Sequence, residues 1–371
     1  MATGRSSQVR TPVSSARRIV LKIGSRAIAT DPQLIPRLAS DIAAFAREQR
    51  RFVLVSSGAI ALGFTRLGYK KRPKEMAALQ AAAAVGQSVL MQRWSSAFEQ
   101  HDLVVAQVLL THADLMDRDR LNNARQALAA LLDAGAIPVI NENDTVATEE
   151  IRFGDNDQLA SMVTPLVSAD LLLLLSDVDG VLDTEGKVIR TMKEDSLASI
   201  GQATGSGPQL GTGGIRSKID AAIKATRSGA AAVIANATSP QLLAKLLHGQ
   251  EVGSYFEPHQ GSLKARKHWI AYTLRPRGAI VIDAGAAKAL KSGKSSLLPV
   301  GVLGIRGQFN AGDSVCLLAP DGHEVGRGLS RLGALDVAAV AGRSSEELQG
   351  VFPHIGPRPI VVHKDDLVIT E

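Results

Sequence analysis

Two short polar clusters interrupt apolar runs in this chain: Asn141, Glu142, Asn143 and Asp144 in IPVINENDTV (137–146), and Asp155, Asn156 and Asp157 in GDNDQLA (154–160). Amides and carboxylates at the end of a strand can exchange hydrogen bonds with a small zwitterion that must shed its water. A Gly-rich stretch, GSGPQLGTGGIRSKIDAA (205–222), leads into a helical pattern that carries Lys218. Glycines let backbone amides approach phosphate oxygens, and a helix N-terminus adds partial positive charge there. Lys22 in LKIGSRA, Ser57 in SSGAIALG and Asp177 in SDVDG also end strand-like runs. Together these groups could bind an anionic, phosphate-bearing ligand beside a small polar one.

To bring them together, the chain needs an element that gathers distant segments at one edge. Strand-like runs occur at RRIVLKIG (17–24), RFVLVSS (51–57), LVVAQVLL (103–110), AIPVIN (136–141), DLLLLLSD (170–177) and AAVIAN (231–236). Helical patterns such as LIPRLASDIAAFAREQR, EMAALQAAAAVGQSVLMQRWSSAFEQH and DRLNNARQALAALLDAG separate them. This alternation predicts a mostly parallel sheet covered by helices on both faces. Ligands of such sheets bind beyond the carboxyl ends of the strands, where the polar clusters fall.

After about residue 276 the texture changes to short strands and Gly or Pro turns, as in GAIVIDAG, SLLPVGVLGIRGQF and DSVCLLAPDGHEVGRGL. A separate small all-β module is expected there. The reading divides the chain into a basic tail (1–15), an α/β domain (16–260), a linker (261–275), the β module (276–358) and a C-terminal segment (359–371).

With 371 residues, 45% hydrophobic and 21% charged, the chain has the composition of a globular protein of about two domains. Its longest strongly apolar run, LLLLL at 171–175, is far below the roughly 20 residues a membrane helix needs. The single cysteine, Cys316, permits no intrachain disulfide, and no Cys or His spacing resembles a zinc site. A cytoplasmic location is the expectation. The first residues carry Arg5, Arg10, Arg17 and Arg18 without the apolar stretch of a secretory signal, so they read as a frayed tail.

Two nucleotide signatures fail on inspection. SGKSS (292–296) ends like a Walker A loop, but Lys288 stands where that motif needs Gly. GSGPQLG places Leu210 at the third glycine of a dinucleotide fingerprint.

The blocks VLKIGS, VSSGAIALG, LQAAAAVGQ, VINENDTVATEEIRFGDNDQLA, LLLLLSDVDG and GTGGIRSK, in this order, resemble the glutamate 5-kinases of the amino-acid kinase family. The later segment GAIVIDAGAAKAL to EVGRGL resembles a PUA domain. The resemblance implies a three-layer α/β sandwich followed by a small PUA-like β barrel. It implies ATP-dependent phosphorylation of the side-chain carboxylate of L-glutamate, the first step toward proline, with Mg²⁺ beside the nucleotide.

On that resemblance Lys22 and Lys218 flank the transferring group, and Asp157 organises them and helps place Mg²⁺. Ser57, Gly58, Asn141, Asp144 and Asn156 bind the amino acid. Lys22, Ser176, Asp177, Thr212, Gly213, Gly214, Ile215, Arg216, Ser217 and Lys218 contact ATP. Ser176 stands where the family commonly has Thr, and DGVLDTEGK lacks the family's usual Tyr and Asp-Pro. Feedback by L-proline, a homodimer or tetramer, and coupling to the next enzyme of the proline pathway also belong to the expectation.

Two other readings remain open. One is a kinase of the same fold acting on aspartate or N-acetylglutamate, although a blocked amine would not satisfy Asp144. The other is RNA binding through the β module, suggested by the net charge of +6. Between 275 and 355, however, nine Lys or Arg stand against seven acids, with little beyond Phe309 and Phe352 to stack bases. The balance argues against a nucleic-acid partner.

Overall fold

The computed structural model describes residues 10–147, 156–192, 214–259, 265–293, 295–348 and 359–370. They divide into two compact units, Met1–Ser262 and Leu263–Glu371.

The first unit is built on an eight-stranded sheet. Its strands are β1 (Arg18–Ile23), β2 (Arg51–Ser56), β3 (Val105–Leu110), β4 (Ile137–Glu142), β5 (Leu171–Ser176), β6 (Thr191–Met192), β7 (Ala231–Asn236) and β8 (Ser254–Phe256), in the order β3-β4-β2-β1-β5-β7-β8-β6. All pairs are parallel except β7 with β8. β6 and β8 are too short to show a pattern in the sequence. β5, Leu-rich and central, is buried at every position, as a parallel strand covered on both faces must be.

The helices of this unit are α1 (Thr11–Ser14), α2 (Ser25–Thr30), α3 (Leu34–Arg47), α4 (Ala59–Phe64), α5 (Met76–Glu99), α6 (His112–Met116), α7 (Arg118–Asp133), α8 (Asn156–Leu166), α9 (Ile215–Arg227) and α10 (Leu242–Leu247). In α3 the buried side chains Leu34, Ile35, Leu38, Ala39, Ile42 and Phe45 recur at helical spacing, so one stripe faces the sheet. The α6 start is fixed by a capping box, in which Thr111 accepts from the Asp114 amide and Asp114 accepts from the Thr111 amide. At the start of α7, Asp117 accepts from the amides of Asp119 and Arg120.

The core under α3 and α5 includes Phe52, Leu54, Leu90, Trp94, Phe98 and Val139. Trp94 is fully buried, and its indole N–H donates to Ser56 Oγ at 3.0 Å, so the largest core side chain also ties α5 to β2.

The second unit holds a five-stranded sheet of β9 (Gly278–Ile282), β10 (Val302–Gly307), β11 (Ser314–Leu318), β12 (Glu324–Ser330) and β13 (Val362–Ile369), in the order β10-β9-β11-β12-β13. Only β9 with β11 is parallel. This module is not purely β. It includes α11 (Ala265–His268), α12 (Ala284–Lys291), α13 (Ala334–Val340) and α14 (Ser345–Leu348). The Ala-rich run 284–291 favours a helix, and Asp283 caps it by accepting from the Ala286 amide.

The described parts of three segments that the sequence sets apart, 10–15, 265–275 and 359–370, are built into these units. Arg10 donates to Val252 O at 2.8 Å and to Arg190 O at 2.6 Å, and Val13 is fully buried. Residues 265–273 are helical, with Ile270 and Ala271 buried. β13, within the C-terminal segment, pairs with β12. Each contains apolar side chains that find a core, which a count of basic residues and prolines does not reveal. Among the described residues, no helix is long and apolar enough to cross a membrane.

Candidate active site

Parallel pairing sets the carboxyl ends of β1, β2, β4 and β5 along one edge of the sheet. β1 lies between β2 and β5, with Lys22 in register with Val55 and Leu174. Lys22 is therefore buried at the middle of that edge. The start of α8 brings in Asn156 and Asp157, and the first turn of α9 brings in Lys218.

These residues form a charged trio. Asp157 Oδ1 lies 2.6 Å from Lys22 Nζ, and Asp157 Oδ2 accepts from Lys218 Nζ at 3.1 Å. Lys218 also donates to Gly214 O at 3.3 Å. All three side chains are buried. Burial pushes the Asp157 carboxyl upward, but Lys22 and Lys218 outweigh it and hold it below the usual carboxylate range. One carboxylate between two ammonium groups leaves the trio with net positive charge in a site of low dielectric, which favours an incoming anion.

Beside the trio runs a chain of amides. Asn156 Nδ2 donates to Ser57 Oγ and to Asn141 Oδ1, each at 2.8 Å. Asn141 Oδ1 also accepts from the Glu142 amide at 2.9 Å, and Asn141 Nδ2 donates to Gln87 Oε1 at 2.9 Å. Gly58, with φ of +111°, turns the chain from β2 into α4 in a conformation that suits glycine.

α4 then packs on α5 through backbone. A Cβ on Gly86 would lie 1.7 Å from Ala59 O, and one on Gly63 would lie 1.8 Å from Ala82 O. That approach explains why SSGAIALG and LQAAAAVGQ are rich in small residues. It also fixes Gln87, the residue after Gly86, against Asn141.

Asp144 is not hydrogen-bonded to the amide chain among the described residues. It lines an adjoining cavity of about 200 Å³ with Gln87, Ser88, Gln107, Glu142 and Asn143. Burial, then the charge of Glu142, raises its carboxyl to about 6, with Arg72 opposing.

At the end of β5, Ser176 Oγ donates to Asp177 Oδ1 at 3.0 Å. Asp177 also pairs with Arg26 of α2, a contact that no motif in the sequence announced. Ile215 and Ser217 are half-buried and Arg216 is exposed on α9. Thr212 and Gly213, with Asp155 of the GDND cluster, lie outside the described residues. Gln87 and Arg26 are the site neighbours that reading by motif missed. Gln87 was visible only as the last letter of LQAAAAVGQ.

No group of three or more His, Cys, Asp or Glu among the described residues could hold a metal ion by itself. Asp157, the expected metal-side carboxylate, meets a lysine at each oxygen. A divalent ion here would need most of its oxygen ligands from elsewhere.

Comparison with known proteins identifies the family. A model of the amino acid kinase family matches residues 17–236, and one of the PUA domain matches residues 278–352. Glutamate 5-kinases of Ectopseudomonas mendocina (strain ymp), Pseudomonas putida and Pseudomonas fluorescens are each 44% identical over 372 residues, covering 97% of this chain and 100% of theirs. A solved carbamate kinase from Giardia lamblia bound to AMP-PNP shows a TM-score of 0.48 and 16% identity, over 66% of this chain and 100% of that chain. By family match and by full-length identity, this chain belongs to the amino acid kinase family and carries a PUA domain after the kinase region.

Proposed function

We propose that this protein transfers the γ-phosphoryl group of ATP to the side-chain carboxylate of L-glutamate, forming glutamyl 5-phosphate for proline synthesis in the cytoplasm. The observation that carries the reading is the buried Lys22–Asp157–Lys218 trio directly beside the Ser57–Asn156–Asn141 amide chain.

The chemistry asks little of acid–base groups. A glutamate carboxylate has an unperturbed pKa of about 4.3, so it is already a nucleophile at neutral pH and needs no general base. What remains is electrostatic, because an anion must approach a phosphoryl group that is itself anionic. Lys22 and Lys218 supply fixed positive charge, and Asp157 keeps the two ammonium groups close without neutralising both. The amide chain and Asp144 hold the amino acid so that its side-chain carboxylate meets the phosphoryl group.

Mg²⁺ would come with the ATP phosphates, which would provide most of its oxygen ligands, and Asp157 is the carboxylate that would assist. Ser176, Asp177 and the start of α9 would hold the nucleotide. The same reading includes L-proline as a feedback inhibitor, since it shares the ammonium and α-carboxylate groups of glutamate. It also includes a homodimer or tetramer and coupling to the next enzyme of the pathway.

The test is acyl-phosphate formation with ATP and Mg²⁺, trapped by hydroxylamine, with L-glutamate, L-aspartate and N-acetylglutamate compared. Glutamate-selective hydroxamate that disappears in Lys218→Ala is the expected result. Equal or better product from either competitor would overturn the assignment. A velocity unchanged by millimolar proline at subsaturating glutamate would remove the feedback component alone.

A further inference from the structure

The amide chain has a polarity that a single backbone group determines. A backbone N–H can only donate, so the side-chain atom of Asn141 that meets the Glu142 amide at 2.9 Å is its oxygen. Asn141 Nδ2 must then face Gln87, and the Gln87 atom at 2.9 Å must be its acceptor, Oε1. Asn156, 2.8 Å from that same Asn141 oxygen, must present its nitrogen. Its second N–H reaches Ser57 Oγ at 2.8 Å, so the Ser57 oxygen accepts and the Ser57 proton stays available to another acceptor.

Gln87 occupies the far end of this chain. Its Oε1 accepts from Asn141, while its Nε2 is buried without a hydrogen-bond partner among the described residues, and Gln87 forms part of the cavity wall that it shares with Asp144. Gln87 and Asp144 thus line one cavity, next to the amide chain that leads to Asp157.

We propose that Gln87 is a positioning residue of the amino-acid site. By accepting from Asn141 it holds the Asn141 amide in plane with Asn156, and so keeps the Ser57 hydroxyl turned to donate to a carboxylate of the bound amino acid. This inference rests on the proposed glutamate kinase activity. Without Gln87 Oε1, a buried N–H of Asn141 loses its acceptor, and the amide turns away from Asn156 to find another. The helix contact at Gly86 makes the clamp stiff, because backbone packing against Ala59 prevents α5 from sliding.

The experiment compares wild type, Gln87→Met, Gln87→Glu, Asn141→Ala and Gln87→Met with Asn141→Ala in the hydroxamate assay. KM for glutamate, KM for ATP and the melting temperature are read for each. Methionine keeps the volume and removes the acceptor, whereas glutamate keeps an acceptor for Asn141. KM for glutamate is expected to rise about tenfold in Gln87→Met, the scale of one lost hydrogen bond in a buried network. KM for ATP and the melting temperature should stay near wild type. Gln87→Glu should lie closer to wild type than to Gln87→Met. In the Asn141→Ala background, Gln87→Met should add nothing, since the two act through one contact.

A glutamate KM within twofold of wild type in Gln87→Met would overturn the proposal. So would an undiminished effect in the Asn141→Ala background, or a Gln87→Glu variant no better than Gln87→Met. If wild type makes no glutamate hydroxamate, the functional reading itself fails. If wild type does and Gln87→Met keeps its KM, only the role of Gln87 fails.

Discussion

Lys22 Nζ lies 2.6 Å from Asp157 Oδ1, both side chains buried, and the second oxygen of the same carboxylate meets Lys218. The carboxylate is what allows two ammonium groups to share a buried site. Replacing it by an isosteric amide should leave both cations uncompensated, at a cost of about 3–5 kcal/mol, the range for breaking a buried ion pair. Asp157→Asn should therefore melt at lower temperature and form no hydroxamate. Wild-type stability in this variant, measured by thermal melting at neutral pH, would contradict the role of Asp157 as the bridge.

Asp144 carries a pH signature. Its carboxyl is raised to about 6 by burial and by the neighbouring Glu142. A raised carboxyl contributes stability below its unfolded pKa, near 4, and that contribution is lost as pH rises through about 6. Without ligand, Asp144→Asn should raise the melting temperature at pH 8 and leave it unchanged near pH 4. If the Asp144 carboxylate receives the substrate ammonium, KM for glutamate should climb as pH falls below about 6 while KM for ATP stays flat. A glutamate KM constant from pH 5.5 to 8 would remove Asp144 from substrate binding.

Gly86 tests the packing that supports the site. A Cβ there would lie 1.7 Å from Ala59 O, a backbone atom that cannot step aside without moving α4. Gly86→Ala should destabilise by at least about 1–3 kcal/mol, the usual range for overpacking, despite the better helix propensity of alanine. Because Ala59 follows Ser57 and Gly58 directly, KM for glutamate should rise as well. A Gly86→Ala protein as stable as wild type would show that the two helices can separate without cost.

In the PUA region, Cys316 is expected to be unreactive. Burial, the charge of Glu324 and a hydrogen bond to it raise the thiol to about 11, with Arg327 opposing. Alkylation by iodoacetamide at pH 7.5 should be slow, because the thiolate is the reacting species. Glu324→Gln should speed it. Rapid labelling of the wild-type protein would contradict this environment.

The strand and helix pattern of the kinase region was legible because it depends on local periodicity. The runs at 17–24, 51–57 and 170–177 become β1, β2 and β5 within a residue or two at each end. β6 and β8 were not legible, since two or three residues carry no period, and β8 owes its place to β7 and β6 to β8. Helices within the expected all-β module were missed for a similar reason, the Gly and Pro turns around them being the louder signal. Arg10 and Val13 show the converse error, because a basic run looks like tail until Val13 finds a core.

At the site, residue types were legible and partners were not. Sequence alone placed Lys22, Ser57, Asn141, Asn156, Asp157 and Lys218 at element ends, since polar and Gly-rich interruptions of apolar runs are local features. Only tertiary structure decided that Asp157 bridges two lysines, that Asp144 lines a cavity with Gln87 and that Gln87 accepts from Asn141. Those relations arise between strands and helices distant in the chain. Their distances depend on parallel register and on the backbone contact at Gly86, neither of which a local pattern encodes.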